Sequence, residues 1–340
     1  MKLNFHNLFM RGSLKPVLQA QLVAQQDDAI TRNPVFQYAK HEFMHMADAE
    51  TLARLRVIMA LATDKNRLSD QHLALFDHED TVSFRLVRTA NSLSPAAGEP
   101  RRIVSNSREA IEKIGFAAVR ELAAAAAASK LFQFDGIWQS CSDEDFWLHS
   151  VATAIASRRL YQQLFGVSAA DMLPYLAGLL HDIGIVAAHR TLGTTAEYRQ
   201  ALFSHLQQQR PLDREEEAVL GFNHADLGAA ILDGWHLPAE LCEAAHRHHR
   251  HPRGVAAAET SPLVHVIRIA DDMALRIPGA GHPDFVMTDE ALLGESLRFL
   301  ELGTAEWANL MAAVVNEWDQ LARLGWFQGL RPRFEVRQGR

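Results

Sequence analysis

Histidine and aspartate recur in this sequence at spacings that could hold a divalent metal ion. The chain has 17 histidines, crowded between His149 and His265. His149 comes first, with Ala152 and Ala156 one and two turns further along its helical face. His181-Asp182 closes the apolar run Leu176–Leu180, with Ala177 and Gly178 one turn back, leaving room for a neighbour. His224 opens the next helical pattern. Leu241, Ala245, His248 and His249 then share a stripe at i, i+4, i+7 and i+8, which leaves His246 and Arg250 pointing elsewhere. Last, Val264, Ile267, Asp271 and Ala274 form an apolar stripe that takes in Asp271 and excludes Asp272. A carboxylate on such a stripe needs a metal or a cationic histidine, because an isolated buried charge is very costly. Imidazole mixed with carboxylate suits iron, manganese, zinc or nickel. A single histidine on an apolar face is ordinarily a satisfied core residue. The ordered series is what points to a pocket.

One other string has the right letters. His41-Glu42-Phe43-Met44-His45 matches the H-E-x-x-H pattern of zinc proteases, in which two histidines at i and i+4 chelate the metal. No third ligand occurs at a familiar spacing, so it reads as an incidental histidine pair.

The elements that must position these residues are helices. Apolar residues three and four apart run through Ala49–Leu61. Shorter helices are expected at about 70–76 and 80–90, and a loop over 91–102. Ser107 is the expected N-cap of a helix over 108–114 that Gly115 ends, and a further helix spans about 117–132. From Asp143 the pattern predicts helices at 145–165, 169–183 (broken by Gly184), 226–234, 238–249 and 262–277. Two more are expected at 289–302 and 304–324. The polar stretch 189–221 is helical in parts. Residues 14–23 could form a helix, and Asn33-Pro34 interrupts the chain beyond it. Few strands and no internal repeat are apparent. The expected division is an extension over 1–47, helical lobes over 48–142 and 143–277, and a helical C-terminal region over 278–340.

Composition excludes several classes. Net charge of -7 with no Lys/Arg cluster argues against nucleic acid. No apolar run reaches membrane-spanning length, the alanines 123–128 included, and no signal-peptide core is visible. Cys141 and Cys242 read as free thiols in a reducing cytoplasm.

The order His, His-Asp, His, His-His, Asp resembles the HD superfamily of metal-dependent phosphohydrolases. The local wording is closer still to its HDOD branch, the HD-related output domain of bacterial signalling proteins. The phrases that carry the resemblance are Leu86–Ser92, Ala110–Gly115, Ala177–Gly184, Gly221–Ala229 and Trp235–Pro238, and it extends over about residues 48 to 275. It implies an all-α bundle of two helical lobes with a C-terminal helical extension. His149, His181, Asp182 and Asp271 match the four core HD positions. His224, His248 and His249 match the additional ligands of two-metal members such as the HD-GYP phosphodiesterases. Those enzymes carry a Lys three residues after the His-Asp pair, where this chain has Ile185. Their Gly-Tyr-Pro motif is replaced here by Arg250-His251-Pro252-Arg253-Gly254.

Two functions are expected on this basis. The first is a regulatory module that binds a signalling partner, with or without one or two structural metal ions. The second is a phosphomonoesterase or phosphodiesterase, with Asp182 and Asp271 in the chemistry and Arg250 or Arg268 for the substrate phosphate.

Overall fold

The structure is a computed structural model that describes residues 28–63, 86–91, 103–131, 143–168, 171–250, 260–280 and 289–323. No strand occurs among the described residues, and the fold is all helical. The expected helix over 14–23, the one over 70–76, Cys141 and His251–Gly254 lie outside them.

The N-terminal part contains α1 (Asp28–Thr31), α2 (Pro34–His45), α3 (Ala49–Thr63), α4 (Ser107–Ile114) and α5 (Phe116–Leu131). Asn33-Pro34 starts a helix rather than interrupting one. The Asn33 side chain accepts from the amides of Val35 and Phe36, and Pro34 fills the first helical position, where a missing N–H costs nothing. Asn33 also donates to the Leu220 carbonyl at 2.8 Å. The cap of α4 is Asn106, not Ser107. Its side chain accepts from the Glu109 amide, and Ser107 is the first helical residue. Gly115 ends α4 at φ 90°. Ala123–Ala128 of α5 are buried, and Trp147 donates its indole N–H to the Ala125 carbonyl at 2.9 Å.

The middle of the chain contains α6 (Asp143–Phe165), α7 (Leu173–Leu180), α8 (Ile183–Leu192), α9 (Ala196–Gln208), α10 (Leu212–Leu220), α11 (His224–Gly234) and α12 (Ala239–Arg247). After these come α13 (Pro262–Leu275), α14 (Glu290–Phe299) and α15 (Thr304–Arg323). The helix α6 is the axis against which α7, α13 and α15 pack. Small residues set the α6–α7 distance: a Cβ on Gly178 would lie 2.7 Å from both Ser157 Oγ and the Thr153 carbonyl. The helical break expected at Gly184 falls earlier, at His181-Asp182. Gly184 lies inside α8, where α11 crosses so closely that a Cβ would sit 1.9 Å from the His224 carbonyl. Helix α2 covers the outer side of α8 and α11.

Helix α13 is buried on every side from Leu263 to Ala274. Asp272 is therefore inside, against the expectation, and is held by Arg276 at 2.7 and 2.9 Å. His265 stacks on Phe299 of α14 with ring centres 4.0 Å apart, its Nδ1 lying 3.1 Å from Ser296 Oγ. Burial pushes its pKa down to about 4, and Arg268 adds to the shift. The unfolded chain takes up a proton below pH 6.5 that the folded chain refuses until about pH 4. Stability from this residue is therefore complete above pH 6.5 and is lost as the pH falls. In urea titrations the stability gap between wild type and His265→Gln should shift by about 2 kcal/mol against the wild type from pH 7 to pH 5.

Helix α15 buries Leu310, Val314 and Trp318, one residue per turn, and Glu317 beside them pairs with Arg158 and Arg159 of α6. Arg158 also meets Glu121 of α5 at 2.9 Å. Burial raises Glu121 to about 7 even with Arg158 opposing it. No helix among the described residues is long and apolar enough to cross a membrane.

Candidate metal centre

All seven residues singled out by spacing converge. His149 comes from α6 and Asp271 from α13. His181 and Asp182 form the turn between α7 and α8, His224 is the first residue of α11, and His248 and His249 form the turn after α12. Every one is buried except His249, which is half-buried.

The ligand atoms fall into two groups, each within 4.8 Å: His149, His181 and Asp271 in one, Asp182, His224, His248 and His249 in the other. Asp182 lies between them. Its Oδ2 is 3.1 Å from His181 Nε2 and 3.9 Å from His149 Nε2. Its Oδ1 is 3.1 Å from His248 Nε2 and 3.7 Å from His224 Nε2. Asp271 Oδ1 lies 3.0 Å from His149 Nε2 and 3.7 Å from His181 Nε2. Asp182 is the N-cap of α8 yet makes no side-chain cap bond, so its carboxylate is turned into the pocket while the α8 dipole favours its charge.

Local structure sets the tautomers. His181 Nδ1 lies 2.8 Å from the Gly178 carbonyl, and His248 Nδ1 lies 2.7 Å from the Ala245 carbonyl. A carbonyl only accepts, so Nδ1 carries the proton and Nε2 is presented to the pocket. His224 is fixed by Glu216, whose Oε2 accepts from the His224 amide at 2.8 Å and from its Nδ1 at 2.6 Å. The Nε2 atoms of His149, His181 and His224, with Asp271 Oδ1, are buried and, although they crowd together with Asp182, make no hydrogen bond of good geometry. Orphaned lone pairs converging beside carboxylates are what a divalent ion satisfies, so the residues present fit one.

The electrostatics of the pocket agree. Burial alone would lower His181, but Asp182 and Asp271 outweigh it and raise it to about 10. Burial likewise opposes the charge on Asp182, and His181 and His248 overcome it, holding the carboxyl well below its usual range. Asp271 is lowered in the same way by His149 and His181. Burial lowers His248 and His249, which stay neutral. A proton on His181 thus supplies the positive charge that an ion would replace, and metal uptake must release it.

Around the pocket, charged groups hold its frame. Arg268 donates to the carbonyls of His248 (3.2 Å), Arg247 (2.9 Å) and Arg250 (2.5 Å), capping α12 and fixing the His248–His249 turn. Arg250 and His246, as expected, turn away from the ligands. Both pair with Asp226, His246 at 3.2 Å. Asp226 also closes the capping box of α11 with Asn223. The spacing argument misses Glu216, which lies in the polar 189–221 stretch. Glu216→Gln, keeping size but losing the charge that fixes His224, should weaken metal affinity roughly 10–100-fold by competition with a chromophoric chelator. An unchanged affinity would remove Glu216 from the site. Cys242 is a half-buried free thiol raised by burial to about 12, and so is unreactive.

Comparison with known proteins agrees on the class, an all-helical domain. The chain belongs to the HDOD domain family, which it matches over residues 52–251. Asp271 lies beyond that match and is brought in by the fold. An HDOD domain protein of unknown function from Geobacter sulfurreducens superposes with TM-score 0.62 at 24% identity, covering 90% of this chain and all of the other. A candidate phosphohydrolase from Shewanella amazonensis SB2B gives TM-score 0.60 at 17% identity, over 86% and 98% of the two chains. A candidate signal transduction protein from Marinobacter aquaeolei VT8 gives 0.58 at 18%, over 80% and 58%. In sequence, an uncharacterized protein of Treponema pallidum (strain Nichols) is 25% identical over 223 residues, 64% of this chain and 40% of the relative. The chain thus spans about two fifths of that curated relative's length.

Proposed function

We propose that this chain is a regulatory HDOD module of bacterial signal transduction that acts by binding a protein partner, with a two-part metal site built into its HD-like lobe. On this reading residues 48–142 and 143–277 are its two lobes. His149, His181 and Asp271 would hold one ion and His224, His248 and His249 a second, with Asp182 offering an oxygen to each group. Iron, manganese, zinc and nickel all suit this donor set. The observation that supports regulation over catalysis is the fate of the nearby cations. Arg268 gives Nε and Nη2 to the carbonyls that end α12, Arg250 pairs with Asp226 and Arg247 with Glu243, so none of the arginines beside the ligand turn is committed to a phosphate. Membership of the HDOD family and the likeness to the Marinobacter protein support the same reading. The chain carried on beads should retain a signalling protein from a lysate of its own source, and should turn over no phosphomonoester or phosphodiester in a screen with iron or manganese.

A metal-dependent phosphohydrolase is the second reading, favoured by the position of Asp182 between two groups of donors. A divalent ion there would lend Lewis-acid charge to a phosphoester. The chain's own residues would do the rest: Nδ1 bonds hold the imidazoles in one tautomer, and the buried walls limit water. Robust turnover lost in both His181→Ala and Asp182→Ala, with no partner recovered, would replace the first reading with this one.

A further inference from the structure

The histidine pair set aside in the sequence acquires a geometry in the structure. His41 and His45 lie on α2, one turn apart, and both are exposed. The buried face of that helix is Phe36, Ala39 and Phe43, so the two imidazoles stand on the side away from α8 and α11. Their ring centres are 3.9 Å apart, inclined at 39°. His45 Nδ1 lies 2.8 Å from the His41 carbonyl, which fixes the proton on Nδ1 and leaves Nε2 as the free lone pair, the arrangement the pocket histidines show. Among the described residues no third histidine, cysteine or carboxylate joins them.

We propose that His41 and His45 form a second metal site, separate from the buried pocket: a solvent-facing, two-point chelate for a late first-row divalent ion such as Ni2+, Cu2+ or Zn2+. Two imidazoles one turn apart on a rigid helix present their lone pairs together, and the second raises the affinity of the first by intramolecular attachment. Imidazole donors and the order of divalent-ion affinities favour these three ions over magnesium, calcium or manganese. With only two protein donors, the remaining coordination positions belong to water, so ions exchange rapidly. The pocket ligands are buried, His249 only in part, so an ion there should exchange more slowly. The third protein ligand that a zinc-protease centre needs is not beside the pair among the described residues.

The test uses the full chain, stripped with chelator and titrated with Ni2+ by calorimetry, beside His41→Gln and His45→Gln variants and the double variant. Both residues are exposed, so the variants should melt with the wild type. The wild type should show one rapidly exchanging Ni2+ equivalent, removable by a brief wash with weak chelator. Each single variant should bind it about 100-fold more weakly, and the double variant should lack it. Slowly exchanging metal assigned to the pocket should be unchanged throughout. A double variant that keeps the rapid equivalent, or a wild type that has none, overturns the proposal. Loss of slowly exchanging metal from the wild type bears instead on the buried pocket.

Discussion

Replacing Asp182 with alanine is expected to empty the pocket. Elemental analysis of chain purified without chelator or a histidine tag should fall from one or two metal equivalents in the wild type to none. The size of the effect comes from position: Asp182 offers one oxygen to each group of donors, so its removal cuts both. The metal-free variant should also lose about 2 kcal/mol in urea, since the carboxylate that neutralises His181 is gone. Asp182→Asn separates the two losses, keeping volume and some hydrogen bonding while removing the charge. An alanine variant that carries as much metal as the wild type would eliminate Asp182 as a ligand.

Gly184→Ala should be the most damaging glycine-to-alanine substitution among the described residues. The added methyl would meet the His224 carbonyl at 1.9 Å and the Gly228 amide at 2.7 Å, and backbone cannot rotate aside as a side chain can. The helices α8 and α11 must part, at about 3 kcal/mol or more by denaturant titration. Because Asp182 precedes α8 and His224 starts α11, parting them also pulls the second group of ligands open. Gly228→Ala is the internal control. Its new methyl would come no nearer than 3.1 Å to the Gly184 amide, so it should cost much less. Equal stabilities for the two variants would mean that the crossing is looser than the structure has it.

Much of the site is legible from helical spacing because its ligands extend apolar stripes: a histidine placed where a leucine would be expected stands out. Glu216 does not stand out. It sits among Asp213, Glu215 and Glu217 in a run that reads as a solvated face, and it is buried only because α10 folds back to α11. The status of Asp272 is hidden for a related reason. A hydrophobic stripe predicts one buried face, whereas α13 is enclosed by α6, α12 and α14 and has no outer face to give a charge. Punctuation also misleads at two places. Asn33-Pro34 carries the chemistry of a helix start as well as of a break, and Gly184 supplies close approach instead of termination. In each case the deciding information is which other segment arrives there, and local sequence does not contain it.

The seven candidate ligands lie between residues 149 and 271 on separate helices and turns, and a metal bound there would have a role apart from any chemistry on a phosphate. An ion that grips them ties distant points of the chain together as a reversible cross-link would, and its grip is withheld from the unfolded chain. Resistance to proteases would then rise and fall with metal supply. The cellular amount of the protein would itself become a readout of that supply, set by turnover, with no need for a change of shape.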